Sequence, residues 1–253
     1  MQKEKIQKNK KRNSKIIAFI DYANMKAWAK SLNYFVDLSI LYKALSNVGI
    51  SQIRLYYGTD ARNEKSKLFL DKLSNIGYGV ITKTVQYFRI SLSDLLNKPH
   101  NKRWVEALPK KLKESMLSEA KKLDNAGIGL FEPKANFDVE ITLDALRYID
   151  NFDHLVLFSG DGDFVPLLEY LRFLSKKTTI LSGKRYLSGE LRQKVNTFAY
   201  LEQLNDIISF IGPYNASYKK PQPALVERAW KECISSIASL LGLSNGNVDN
   251  KDN

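Results

Sequence analysis

From about position 14 to position 210, short and nearly continuous apolar runs alternate with stretches of helical periodicity. The runs Ile16–Ile20, Gln52–Tyr57, Gly79–Thr84, Leu155–Phe158 and Thr178–Leu181 read as strands. The stretches Leu38–Val48, Asn63–Ile76, Asp138–Ile149 and Phe164–Ser175 read as helices, and Leu187–Val195 is helix-like. Strands that lack an apolar–polar alternation are buried on both faces, which is the signature of a parallel sheet covered by helices. Strand–helix–strand repetition therefore predicts an α/β protein, a three-layer α/β/α sandwich with a central parallel sheet.

The flanks and one internal stretch depart from that rhythm. Residues 1–14 form a basic arm with little apolar content, and the segment extending to position 15 carries Lys3, Lys5, Lys8, Lys10, Lys11, Arg12 and Lys15 against Glu4. Such an arm can follow a phosphate backbone or serve only as a solvated tail. The main domain is expected over 15–211, with a basic helical insertion at about 89–133. Within it, Lys98, Lys102, Arg103, Lys110, Lys111, Lys113, Lys121 and Lys122 outnumber Glu106, Glu114 and Glu119, and Pro109 starts or kinks a helix. Trp104, Leu108, Leu112, Met116 and Leu117 recur there at helical spacing. Gly212-Pro213 opens a linker over 212–223, an amphipathic helix follows over 224–242, and 243–253 reads as a disordered tail. The apolar stripe Val226, Trp230, Cys233, Ile237 and Leu241 must dock on its own domain, on a second copy or on a protein partner.

Composition narrows the chemistry. The net charge of +12 over 253 residues favours a polyanionic partner, nucleic acid above all, whether RNA or DNA. One cysteine excludes an intramolecular disulfide, and two histidines, His100 and His154, leave no basis for a His-based zinc centre. No apolar stretch is long enough to span a membrane, and Met1–Lys15 lacks the apolar middle of a secretory signal, so the cytoplasm is the expected compartment.

Ligands of open parallel sheets collect beyond the carboxyl ends of the strands. Asp21 follows the first strand, Asp161 and Asp163 follow the fourth, and Asp138 opens a helix. If the first and fourth strands are neighbours, these carboxylates share one crevice, and their mutual repulsion calls for protons or a cation. An all-oxygen set selects Mg²⁺ or Mn²⁺. Three of the acids have a plainer alternative, since Asp138, Asp161 and Asp163 can cap helices; Asp21 lacks an evident local role. No phosphate-loop or dinucleotide-binding glycine pattern is present.

The run Phe19-Ile20-Asp21-Tyr22-Ala23-Asn24 resembles the opening motif of NYN domains, a branch of the PIN-like nucleases that includes the LabA-like proteins. Lys134-Ala135-Asn136-Phe137-Asp138-Val139, with Asp144-Ala145-Leu146, resembles the middle motif, and Ser159-Gly160-Asp161-Gly162-Asp163-Phe164-Val165-Pro166-Leu167 the third. The resemblance covers about Lys15 to Leu204, with Tyr22 where the family often has glycine. It implies a PIN-like fold and a metal-dependent endoribonuclease that cleaves RNA with water activated at a carboxylate-held Mg²⁺ or Mn²⁺. Asp21, Asp138, Asp161 and Asp163 take the catalytic, metal-binding positions. Asn24 orients a ligand, Ser159 supports the water, and Asp144 is secondary, six residues and about 240° around the helix from Asp138. Lys134, Lys102, Arg103, Lys110 and Lys111 are the expected substrate contacts. Two other classes of function stay open at this point: a catalytically silent RNA-binding adaptor, and a metal-dependent nucleotide phosphohydrolase.

Overall fold

The computed structural model describes residues 15–31, 36–60 and 63–200, together with the helical positions Ser235, Ala238 and Ser239. The basic arm, the linker, most of the C-terminal helix and the tail lie outside the described residues. No helix among the described residues is long and apolar enough to cross a membrane.

Among the described residues, eight strands and nine α-helices follow one another in two compact units. The first unit holds a six-stranded parallel sheet. In chain order its elements are β1 (Ile16–Asp21), α1 (Tyr22–Ser31), α2 (Leu38–Asn47), β2 (Ile50–Thr59), α3 (Glu64–Ile76) and β3 (Gly79–Thr84). After the second unit come α7 (Asp138–Arg147), β6 (His154–Phe158), α8 (Val165–Phe173), β7 (Lys177–Ser182), α9 (Gly189–Lys194) and β8 (Thr197–Tyr200). The sheet order is β3-β2-β1-β6-β7-β8, so β1 and β6 are central neighbours, paired from Ile16↔His154 to Ile20↔Phe158.

All five expected strands form; burial on both faces holds for β1, β6 and most of β7, whereas β2 is only partly buried and β3 is largely exposed. Every residue of β1 and of β6 is buried. Ile16, Ala18 and Ile20 of β1 join a core with Met25 and Trp28 of α1 and Leu41 and Leu45 of α2. Phe19 meets the Tyr56 ring edge-on, and Tyr56 meets Phe137 in the same way at the start of α7. Ala238 is helical and buried in the same core as Trp28.

Two elements of this unit escape a reading of apolar runs. Among the described side chains of helix α1 only Met25 and Trp28 are deeply buried, too few positions to announce a period. Strand β8 has four residues and lies at the sheet edge.

The second unit comprises Gly58–Asp60 and Lys83–Asn136. The segment expected to be a helical insertion over 89–133 also carries strands: β4 (Gln86–Ile90) and β5 (Leu130–Lys134) pair antiparallel. Pro133 obscures β5 in the sequence, but in a two-stranded ribbon both strands are edges and proline is tolerated. Between them lie α4 (Leu92–Asn97), α5 (Pro99–Glu106) and α6 (Lys110–Asn125), with Pro109 at the N-cap of α6. The expected apolar stripe is largely exposed at Trp104 and Leu112, while Val105 and Ala120 are buried. Asp124 ties the unit together by accepting the Leu92 and Ser93 backbone N–H groups at 2.6 and 2.9 Å, and Arg89 donates to the Asp124 carbonyl at 3.0 Å.

Two buried polar groups of the first unit, Asp144 and His154, bear on its stability. Asp144 of α7 accepts from Arg54 Nη2 at 2.9 Å and from the Tyr56 hydroxyl at 3.0 Å, and Arg147 Nη1 approaches its other oxygen at 2.7 Å. The Arg54 and Asp144 side chains are only 15% and 6% exposed, whereas Arg147 is 66% exposed. Asp144→Ala strands a buried guanidinium and phenol and is expected to cost about 3–5 kcal/mol. Arg147→Ala removes a solvated partner and is expected to cost under about 1 kcal/mol. Urea denaturation of both variants checks the contrast; equal losses contradict it.

His154 Nε2 lies 2.8 Å from Thr179 Oγ1. Burial, reinforced by Lys177, pushes the imidazole down from 6.5 to about 4. Between those values the unfolded chain takes up a proton that the folded protein refuses, so this group's contribution to stability falls as pH falls from 6.5 to about 4. Urea midpoints measured across that window are expected to fall less steeply in His154→Gln than in the wild type. Parallel pH profiles contradict the assignment.

Candidate metal centre

The register of the central strands brings the chemistry together. Ile20 pairs with Phe158, and one residue beyond each stand Asp21 and Ser159, at the carboxyl ends of adjacent parallel strands. The turn after β6 delivers Asp161 and Asp163, and the start of α7 delivers Asp138. One ligand oxygen from each of Asp138, Asp161 and Asp163 lies within 4.8 Å of the other two.

Asp21 stands beside this trio rather than within it. It is 9% exposed, and burial pushes its carboxyl above the usual range, with the Asp138 charge adding to the rise and Asn24 hydrogen bonds opposing it. The Asn24 backbone N–H donates to Asp21 Oδ1 at 3.1 Å, and Asn24 Nδ2 lies 3.5 Å from Oδ2. Asp21 thus does have a local role at the first turn of α1, hidden in the sequence because α1 itself is hidden. Asn24 Oδ1 in turn accepts from Trp28 Nε1 at 2.9 Å, so a fully buried indole fixes the amide that holds the carboxylate. The sequence marks Trp28 only by its spacing of seven residues from Asp21, with Asn24 between, a signal that depends on recognising a helix there.

The capping alternatives divide. Phe137, not Asp138, occupies the N-cap of α7, and Asp138 is its first helical residue. Asp161 does cap: its Oδ1 accepts the Asp163 N–H at 3.1 Å, at the head of the one-turn helix Gly162–Phe164. Gly160 makes this turn possible. A Cβ there would collide with the Tyr186 carbonyl and with Ser182 Oγ.

Ser159 is fully buried, and its Oγ receives the Asp161 N–H at 3.3 Å, so it braces the turn from below. Asp144, grouped with the site by the motif resemblance, spends its charge on Arg54 and Arg147. It anchors α7 to β2. Tyr22, at the position where glycine was noted, packs its ring against Tyr57 and Phe69 with centroids 5.3 Å away, and burial pushes its phenol up to about 12.

The five expected substrate cations belong to the second unit. Lys134 lies 3.7 Å from Glu132 and Lys102 lies 3.8 Å from Glu106. Arg103, Lys110 and Lys111 are exposed. An open cleft of about 490 Å³ in that unit is lined by Phe88, Arg89, Ile90, Lys98 and Lys134, with Asp94 and Glu132 among them.

Three carboxylates this close repel strongly: a pair about 4–5 Å apart costs roughly 3–4 kcal/mol at an effective dielectric near 20. Three hard oxygen donors converging at a helix start and a tight turn, with a fourth carboxylate beside them, fit a hexacoordinate oxygen-seeking cation and lack the nitrogen or sulfur that zinc favours.

Known proteins match this architecture. A Synechococcus elongatus protein, low amplitude and bright protein LabA, is 26% identical over 214 residues, which cover 84% of this chain and 93% of that protein. The crystal structure of a Vibrio parahaemolyticus protein of unknown function shares the fold at a TM-score of 0.51 and 20% identity, over 74% of this chain and 93% of that one. The NYN domain family profile matches residues 15–202, a span that begins at β1 and runs past β8. A parallel sheet with acids at the ends of its central strands, matched over that span, places the chain in the NYN domain family, within the PIN-like nuclease superfamily.

Proposed function

We propose that this chain is a metal-dependent endoribonuclease. The observation that carries the reading is the convergence of Asp138, Asp161 and Asp163 within 4.8 Å, with buried Asp21 close enough to Asp138 to feel its charge. NYN domains are generally nucleases, which supports hydrolysis of a phosphodiester over other chemistry.

Asp138, Asp161 and Asp163 would hold a Mg²⁺ or Mn²⁺ ion, with Asp21 as the fourth carboxylate. Such an ion supplies a Lewis acid for the phosphoryl oxygens and a water of lowered pKa. The chain's own groups do the positioning. The Asp163 N–H fixes one oxygen of Asp161, which leaves the other for a ligand. The Trp28–Asn24 pair fixes Asp21, so its charge stays at the strand end instead of swinging to solvent. Held in place before substrate arrives, these carboxylates need no reorganisation during the reaction.

RNA is the proposed polymer because the chain carries a net charge of +12, and counterion release on phosphate binding is the main source of affinity for such proteins.

Asp161→Asn retains an oxygen for the Asp163 N–H and so preserves the turn, while it removes a negative ligand. Asp161→Asn and Asp138→Asn are each expected to lower cleavage of a labelled RNA in Mn²⁺ at least about 100-fold. Circular dichroism and RNA retention should stay near wild type. Excess EDTA is expected to abolish wild-type cleavage, with recovery on adding Mn²⁺. Cleavage that survives EDTA or either substitution sinks the proposal.

A further inference from the structure

The acid cluster creates an electrostatic problem that the metal alone does not solve. Four carboxylates and one divalent ion leave −4 + 2 = −2 at the place where a polyanion must dock. A cation at the rim has to offset the repulsion felt by the phosphates on either side of the reacting one. The loops that leave the carboxyl ends of β6 and β7 contain two cations, Lys184 and Arg185, and no other lysine or arginine.

Both sit on a tight turn. The Tyr186 N–H donates to the Gly183 carbonyl at 2.8 Å, which makes Lys184 and Arg185 the two central residues of a four-residue β-turn, both exposed. The turn is clamped from two sides. On one side Gly183 lies so near Trp28 that an added Cβ would come within 3.2 Å of its Cβ and Cγ, and the Tyr186 hydroxyl donates to the Ala27 carbonyl at 3.2 Å. Trp28 is the residue whose indole N–H holds Asn24, and Asn24 holds Asp21. On the other side the Tyr186 carbonyl packs on Gly160, and the Ser188 N–H donates to the Gly160 carbonyl at 3.0 Å, one residue before Asp161.

The geometry points to the Gly183–Tyr186 turn as a phosphate-binding subsite of the acid cluster, in which Arg185 and Lys184 grip the phosphate next to the one being cut on a single-stranded polynucleotide. A turn already fixed against both acid-bearing segments presents its cations without ordering a loop, and guanidinium forks suit phosphate oxygens. The placement ties this subsite to the same two elements that position Asp21 and Asp161. Its role as neighbour to a scissile phosphate rests on the nuclease reading; its affinity for the polymer does not.

The test uses the full chain, a short 5′-fluorescein-labelled oligouridylate, and fluorescence anisotropy in EDTA from about 50 to about 200 mM KCl. The K184A/R185A variant is expected to bind about tenfold more weakly, and its log Kd against log salt slope should fall by about 1.4, the share of two contacts on a single strand. R185K keeps the charge and should retain the slope. In Mn²⁺, K184A/R185A should raise KM with kcat within about twofold of wild type. Unchanged affinity and slope overturn the subsite, as does weaker binding with an unchanged slope or a wild type that does not bind RNA. A wild type that binds through the turn yet cleaves with no divalent ion removes the nuclease reading and keeps the subsite. Normal cleavage with an indifferent double variant does the reverse.

Discussion

Everything distinctive about this molecule follows from like charges forced together at the carboxyl end of a buried parallel sheet. Carboxylates separate when they can. These cannot, because β1 and β6 are adjacent and buried along their whole length, and their ends deliver Asp21 and the Asp161 turn to one place. Moving the backbone of Asp21, or that of the strand leading to Asp161, would mean moving a strand with hydrogen-bonded neighbours on both sides. The stability of the apolar sheet therefore sustains an unfavourable cluster, and only a cation or protons can relieve it.

The acids of the chain separate into those whose charge the fold consumes and those it concentrates. Asp144 meets two guanidinium groups and a phenol, and Asp124 meets two backbone N–H groups and a serine hydroxyl. Asp161 gives Oδ1 to a local cap and also brings a carboxylate oxygen near Asp138 and Asp163. Capping and ligation are compatible because a carboxylate has two oxygens. Asp21 differs in that Asn24 approaches both of its oxygens, through the backbone N–H at 3.1 Å and the side-chain amide at 3.5 Å.

Much of this was legible in the sequence, for physical reasons that can be named. Central strands buried on both faces show as unbroken apolar runs such as Ile16–Ile20 and Leu155–Phe158, and polar residues at their ends stand out by contrast. Asp21, Asp161 and Asp163 stand out for that reason, Asp138 stands out because it opens a helix, and the ordered motifs reinforce all four. What stayed hidden depends on contacts distant in the chain. Arg54 and Asp144 are 90 residues apart, so nothing local marks Asp144 as an anchor rather than a ligand. The Tyr186 carbonyl against Gly160 is likewise a tertiary fact. Helix α1 hid because two deep apolar residues do not make a period, and with it went the Trp28–Asn24–Asp21 relay. The ribbon of β4 and β5 hid because its residues face solvent and supply no burial signal.

The central claim is that these carboxylates gather to hold a hard divalent cation. The most direct measurement is a crystal of the full chain soaked in Mn²⁺, read by anomalous scattering. The account predicts a peak bonded to oxygens of Asp138, Asp161 and Asp163 at about 2.2 Å, with Asp21 directly or through water at its edge. Carboxylates splayed apart around empty solvent at saturating Mn²⁺ would contradict it.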